Sequence, residues 1–155
     1  MVGRSAHLLR RWSLAIVLVA GSFLVDPSAA FACSCMPQTK PQLADNASVI
    51  FTGTVTSVGA VYGWPAWACG PRSTAERATF GFDVETVFKG ESSRSVTVTT
   101  AMSGASCGFE FVAGKRYTVF ARSIDGRLET NLCNGNELGE IVAADYGLGA
   151  GRPPK

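Results

Sequence analysis

Two cysteines one residue apart, Cys33 and Cys35, follow directly on Ala30-Phe31-Ala32. An A-x-A triplet is the kind of sequence at which an export leader is cut. A cut after Ala32 makes Cys33 the first residue and turns its backbone nitrogen into an α-amine. Such an amine has a pKa of about 7.7–8.0, against about 10.4 for a lysine, so near neutral pH a useful fraction carries a lone pair. The Cys33 carbonyl oxygen lies next to it, and the two atoms can close a chelate ring on one metal. A catalytic zinc keeps three protein ligands and one position for water. That water is the nucleophile of a zinc protease. An amine–carbonyl chelate would displace it.

The segment before Cys33 reads as a leader. Arg4, Arg10 and Arg11 make a basic start, and Leu14 to Val25 an apolar run. The run is shorter than the roughly 20 residues that a membrane span needs. Arg10-Arg11-Trp12-Ser13-Leu14 loosely resembles a twin-arginine export signal. We expect residues 1–32 to be a signal peptide and the remainder to be exported without a membrane span. Acylation at Cys33 is a competing outcome, but Ala30 is a poor match to the aliphatic residue that lipoprotein signals prefer at that place. An exported chain also makes Asn46-Ala47-Ser48 a glycosylation acceptor where the host glycosylates.

Three of the fourteen basic and one of the twelve acidic residues lie in the leader, so the mature chain has eleven of each. A reader of nucleic acid would show a basic excess, and none is present. The one histidine, His7, is in the leader. The mature chain therefore has neither a histidine zinc site nor a Ser-His-Asp triad, and no G-x-S-x-G motif appears. We expect no enzyme activity and no cofactor of its own.

These residues must be positioned by a small β domain. Strand patterns run over Ser48–Val58, Ala78–Phe88, Ser95–Thr100, Arg116–Arg122 and Arg127–Cys133. They are rich in β-branched and aromatic residues and are separated by turns such as Asp125-Gly126. In Ala78–Phe88 the inward face is Phe80, Phe82, Val84 and Thr86. Five such strands predict a small antiparallel barrel or sandwich. Pro41–Asn46 predicts a short helix. Glu137–Tyr146 predicts a second, with Asn136 as N-cap and Leu138, Ile141, Val142 and Tyr146 as one core-facing stripe. Residues from Gly147 onward are expected to be disordered. Gly59–Arg77 is too long for an ordinary turn. Its Tyr62, Trp64 and Trp67 are either partner anchors or a lid over the barrel.

All five cysteines follow the leader, which suits disulfides in an oxidising compartment. On an extended segment Cys33 and Cys35 point to one side and Ser34 to the other. Their available partners are Cys69, Cys107 and Cys133. Bridges to the last two would close long loops, each worth about 4–5 kcal/mol in the chain-entropy model. They would also hold the chain start rigid. Five is odd, so one thiol is left over.

Several segments together resemble the tissue inhibitors of metalloproteinases and the wider netrin-like module. They are the Cys33-Ser34-Cys35-Met36-Pro37 start, "PQLADNASVIFTGTV", "FDVETVFKG", the Cys107-Gly108 pair with "AGKRYTVFA", and "GRLETNLC". The resemblance covers about residues 33–146. It implies a five-stranded OB-fold-like barrel with flanking short helices and bridges Cys33–Cys107 and Cys35–Cys133. It also implies inhibition of zinc metalloendopeptidases by an inserted ridge. Cys33 would chelate the target's zinc, Ser34 would enter the adjoining side-chain pocket, and Met36 and Pro37 would continue along the cleft. Ala105 and Ser106 would line the ridge beside Cys107.

The sequence departs from that family in three places. Asp45 stands near where its animal members carry a third cysteine, Cys69 has no counterpart, and no second cysteine-rich domain follows. Cys69 is expected to be unpaired or to link two chains. The compact leader and missing second domain point to a bacterial host, hence to a secreted, periplasmic or cell-surface protein. Two other functions compete. One is an extracellular interaction module held by Trp64 and Trp67, with the cysteines only a staple. The other is a Cu(I) carrier using Cys33, Cys35 and Met36, which suit a soft metal but require thiolates that an oxidising compartment disfavours.

Overall fold

The computed structural model describes residues 33–62, 75–102 and 107–155. A helix, α1 (Lys40–Asn46), precedes β1 (Val49–Tyr62), β2 (Ala75–Lys89), β3 (Ser95–Ala101), β4 (Arg116–Ile124), β5 (Arg127–Glu129) and the two-residue β6 (Glu137–Leu138). The strand order is β1-β2-β3-β5-β4, and β1 pairs again with β4, which closes a five-stranded barrel of OB-fold type. Four of the five joints are antiparallel. The β3–β5 joint is parallel, through Val98–Leu128 and Thr99–Glu129, where an all-antiparallel barrel was expected. β5 forms a hairpin with β4 at Asp125-Gly126, so its direction is fixed before it meets β3.

Alternation along the strands sorts two cores. Phe51, Phe82, Val98, Val119 and Ala121 are fully buried inside the barrel, where Phe51 meets Phe82 edge-on at 5.4 Å and Phe82 meets Phe111 at 5.1 Å. Their neighbours Ile50 and Phe120 point outward and are buried beneath α1 with Ala44, Ala47, Ile141 and Tyr146. Fully buried side chains of this size each contribute about 1.5–3 kcal/mol, and an edge-to-face ring pair adds about 0.5–1.5 kcal/mol. On β2 the inward face runs Phe80, Phe82, Val84 and then Val87, not Thr86. A bulge at Glu85 shifts the alternation by one residue.

One polar pair sits inside this shell. The Thr52 and Thr118 hydroxyls are 2.8 Å apart, and Thr118 donates to the Gly139 carbonyl at 2.8 Å, with both threonines fully buried. Thr118→Val strips two groups of their partner at once. It is expected to cost about 2 kcal/mol, read from the urea midpoint.

Three expectations are corrected. Residues 137–146 form no helix: Glu137–Leu138 pairs with β4, and only Ala143–Tyr146 makes a 3-10 turn. Gly139 adopts φ +82°, which ends any helix there. Leu138 and Val142 are exposed and only Ile141 and Tyr146 are buried, so the stripe is not one face. The strand from Arg127 stops at Glu129, and Cys133 lies on a 3-10 turn, Leu132–Asn134.

Residues 147–155 are ordered along β2. Val87 and Arg152 exchange two backbone bonds of 2.8 and 2.9 Å, and Lys155 N donates to Ser92 O at 2.9 Å. β3 pairs with β2 only over Arg77–Asp83, and beyond the Val84 N to Arg94 O bond of 2.7 Å the tail supplies Val87 with its partner on that edge.

The expected loop Gly59–Arg77 begins and ends as strand, since β1 and β2 stay paired out to Tyr62–Ala75. Trp64, Trp67 and Cys69 lie outside the described residues, as do Ala105 and Ser106. Among the described residues no helix is long and apolar enough to cross a membrane.

Candidate functional site

The Cys33–Cys35 segment is clamped at two points. Cys33 is bonded to Cys107 and Cys35 to Cys133, each with a Cα–Cα distance of 5.4 Å, across separations of 74 and 98 residues. This is the pairing implied by the resemblance to the metalloproteinase inhibitors. The segment between Cys33 and Thr39 has no regular structure. Its far end is fixed by α1. The Thr39 hydroxyl accepts from Gln42 N, the Gln42 side chain accepts from Thr39 N, and Pro41 occupies the first turn. The Asn46 amide also donates to the Gln38 side chain at 2.8 Å. A short extended stretch is thus held at both ends while Ser34, Met36 and Pro37 stay exposed, Met36 at 83%.

The two downstream anchors are joined to each other. Leu132 N donates to the Cys107 carbonyl at 2.9 Å, so the Cys107 segment and the Cys133 turn form one support. The Asn131 side chain accepts from Cys133 N at 2.8 Å and caps that turn. Asn136, expected to cap a helix, instead ties the turn to β4. Its oxygen accepts from Phe120 N at 3.0 Å, and its amide donates to the Thr130 hydroxyl at 2.9 Å and the Asn131 carbonyl at 3.1 Å. Thr130 in turn donates to Phe120 O at 2.8 Å. Sequence patterns did not flag Thr130 or Asn131, because polar residues that bracket distant backbone leave no periodic signal. Leu132 was also missed. It is 49% exposed and lies beside the Cys107 carbonyl, an apolar addition to the same surface.

Cys107 itself has φ +57°, unusual for a side-chain-bearing residue. Gly108 follows because space is absent: a Cβ there would lie 1.9 Å from the Ala101 carbonyl oxygen. Gly108→Ala must push Cys107 or β3 aside. It is expected to cost about 3 kcal/mol, at the upper end for overpacking, and to be seen as a lowered denaturant midpoint with both bridges still formed.

α1 is seated by a second polar group. Lys40 Nζ is 3.0 Å from Asp145 Oδ2 and 5.3 Å from the centre of the Tyr146 ring. The Tyr146 hydroxyl donates to Glu137. Burial first, and then that carboxylate, push its pKa well above the usual tyrosine value, so it stays a donor at all physiological pH. The hydrogen bond to Asp145 raises the pKa of the Lys40 amine against the opposing effect of burial.

No protein-family model matches the sequence, and no curated protein matches it. The site is therefore read from its own chemistry. Both sulfurs of the Cys33/Cys35 pair are engaged in disulfides, so they offer no thiolates to Cu(I). Among the described residues no three His, Cys, Asp or Glu side chains gather as a metal site. What the arrangement presents is a backbone segment with outward side chains on a rigid base.

Proposed function

We propose that the exported protein, beginning at Cys33, is an inhibitor of zinc metalloendopeptidases related to the tissue-inhibitor and netrin-like family. The observation that carries this reading is the double clamp. Cys33 and Cys35 are each disulfide-bonded while Ser34, Met36 and Pro37 between and after them remain exposed. Stability alone is served by one long-loop bridge. Two within three residues also fix the direction of the chain start, which lowers the ordering cost of binding.

After removal of residues 1–32, the Cys33 amine and carbonyl would bind the protease's zinc in place of its water. Ser34 would point into the pocket beside the metal, and Met36 and Pro37 would lie along the cleft. Ala105 and Ser106, which adjoin Cys107 in sequence, would flank them. The segment would resist cleavage because it offers an end instead of a spanning peptide bond.

The test is one preparation measured twice. Intact mass should show a chain starting at Cys33 without lipid, and that chain should inhibit members of a panel of zinc metalloendopeptidases at a one-to-one ratio. A correctly processed chain that inhibits none of them overturns the proposal.

A further inference from the structure

β1 is longer than the barrel it closes. Its pairing with β4 ends at Thr54–Arg116, and the last bonds on that side are Val55 N to Lys115 O at 3.0 Å and Gly114 N to Val55 O at 2.8 Å. Its pairing with β2 runs on to Tyr62–Ala75. Residues 57–60 are thus exposed and, among the described residues, paired on one side only, after a bulge at Thr56 that joins neither ladder. Proteins blunt such edges with lysine, proline, inward charge or a bulge. Ser57-Val58-Gly59-Ala60 carries no charge and no proline, and the one such device here is the bulge at Thr56, at its start.

Beside this edge runs a groove of about 450 Å³. Val58 and Ala60 of β1 and Ala78 and Phe80 of β2 line it together with Phe109 and Phe111. Its size and apolar lining are those of a ligand site. Glu110 is the one charged residue in the lining, is exposed, and takes part in none of the ion pairs found among the described residues.

We propose that this edge and groove together form a docking site for an extended peptide segment of a partner protein. The segment adds as a strand to β1 at residues 57–60, places apolar side chains at alternate positions in the groove, and sets a basic side chain against Glu110. Main-chain bonds give such a site affinity, and the groove gives it selectivity. A small apolar ligand would fill the groove and leave the strand edge unused. A second copy would bring the same short uncharged edge, and the test below separates it from a peptide. An extended segment with one lysine or arginine answers both features. The inference does not depend on the inhibitor reading.

The probe is a capped, dye-labelled peptide alternating valine with threonine around one central lysine, and its counterpart with glutamate in place of lysine. Binding to the exported protein is followed by fluorescence anisotropy and amide exchange. The lysine peptide is expected to bind about tenfold or more tightly than the glutamate peptide and to slow exchange at residues 57–60. Val58→Lys, at a position 57% exposed and so tolerant of charge, is expected to weaken the lysine peptide about tenfold. Glu110→Lys is expected to reverse the preference. Four results would each overturn the proposal: no binding of either peptide at millimolar concentration, binding unchanged by Val58→Lys, a preference that Glu110→Lys does not reverse, or a dimer dispersed by Val58→Lys, which would assign the edge to a second copy.

Discussion

A chain carrying one additional alanine ahead of Cys33 is expected to lose inhibition of zinc metalloendopeptidases and to keep its thermal midpoint. The added residue converts an amine into an amide, whose nitrogen has no lone pair to give a metal. It also places a side chain and a new terminus where the zinc water would sit. Losing the anchor at the centre of an interface costs about 4 kcal/mol or more, roughly a thousandfold in the inhibition constant. Both bridges lie on the far side of this change, so the near-UV spectrum and disulfide count should not move. The same mechanism sets a pH dependence. The protonated amine cannot bind zinc, so inhibition should strengthen as pH rises from about 6 to 8 through the α-amine's range. Equal inhibition by the extended and native chains would remove the amine from the mechanism and leave only the stapled barrel.

Replacing Cys35 and Cys133 together by serine is expected to destabilise the protein by about 4–5 kcal/mol, the largest stability effect anticipated here. The bridge closes a separation of 98 residues, and in the chain-entropy model a loop of that length restrains the denatured ensemble by that amount. Single domains hold only about 5–15 kcal/mol in total, so the variant should melt some ~10–20 °C lower. Its effect on inhibition should exceed its effect on folding at low temperature. Cys33 would stay tied to Cys107, but Met36 and Pro37 would lose their clamp, and their ordering would then oppose binding. A loss below about 1 kcal/mol by calorimetry would contradict the account, since it would require the unfolded chain to be equally restrained without the bridge.

The barrel was legible because its strands carry period-two patterns with bulky residues inside, such as Phe80, Phe82 and Val84, and because turn residues separate them. α1 was legible from Pro41. The bridges were not decided by spacing, since Cys69, Cys107 and Cys133 were equal candidates, and only the resemblance to a family separated them. The failures share a cause. Leu138, Ile141, Val142 and Tyr146 have helical spacing, but Gly139 at a left-handed φ and the pairing of Leu138 with Tyr117 override it. The tail is rich in glycine and proline, yet it lies along β2 because Val87, beyond the end of the β3 pairing, takes Arg152 as its partner. The parallel β3–β5 joint and the Asn136 bracket are properties of three-dimensional closure, and no local pattern encodes them. Within the site, the position of the cysteines could be read from the chain. The shared support beneath them, and the apolar Leu132 beside it, could not.

The bond from Leu132 N to the Cys107 carbonyl has a consequence for oxidative maturation. It brings both acceptor sulfurs to one place, and the two donors stand a single residue apart. In a species holding one of the two bridges, a free thiolate of the neighbouring pair can exchange into a crossed pairing in a single step, and four cysteines admit three arrangements. Such reshuffling takes about minutes to hours without help. Recovery of active protein should therefore be governed by access to a disulfide isomerase more than by how fast the barrel collapses.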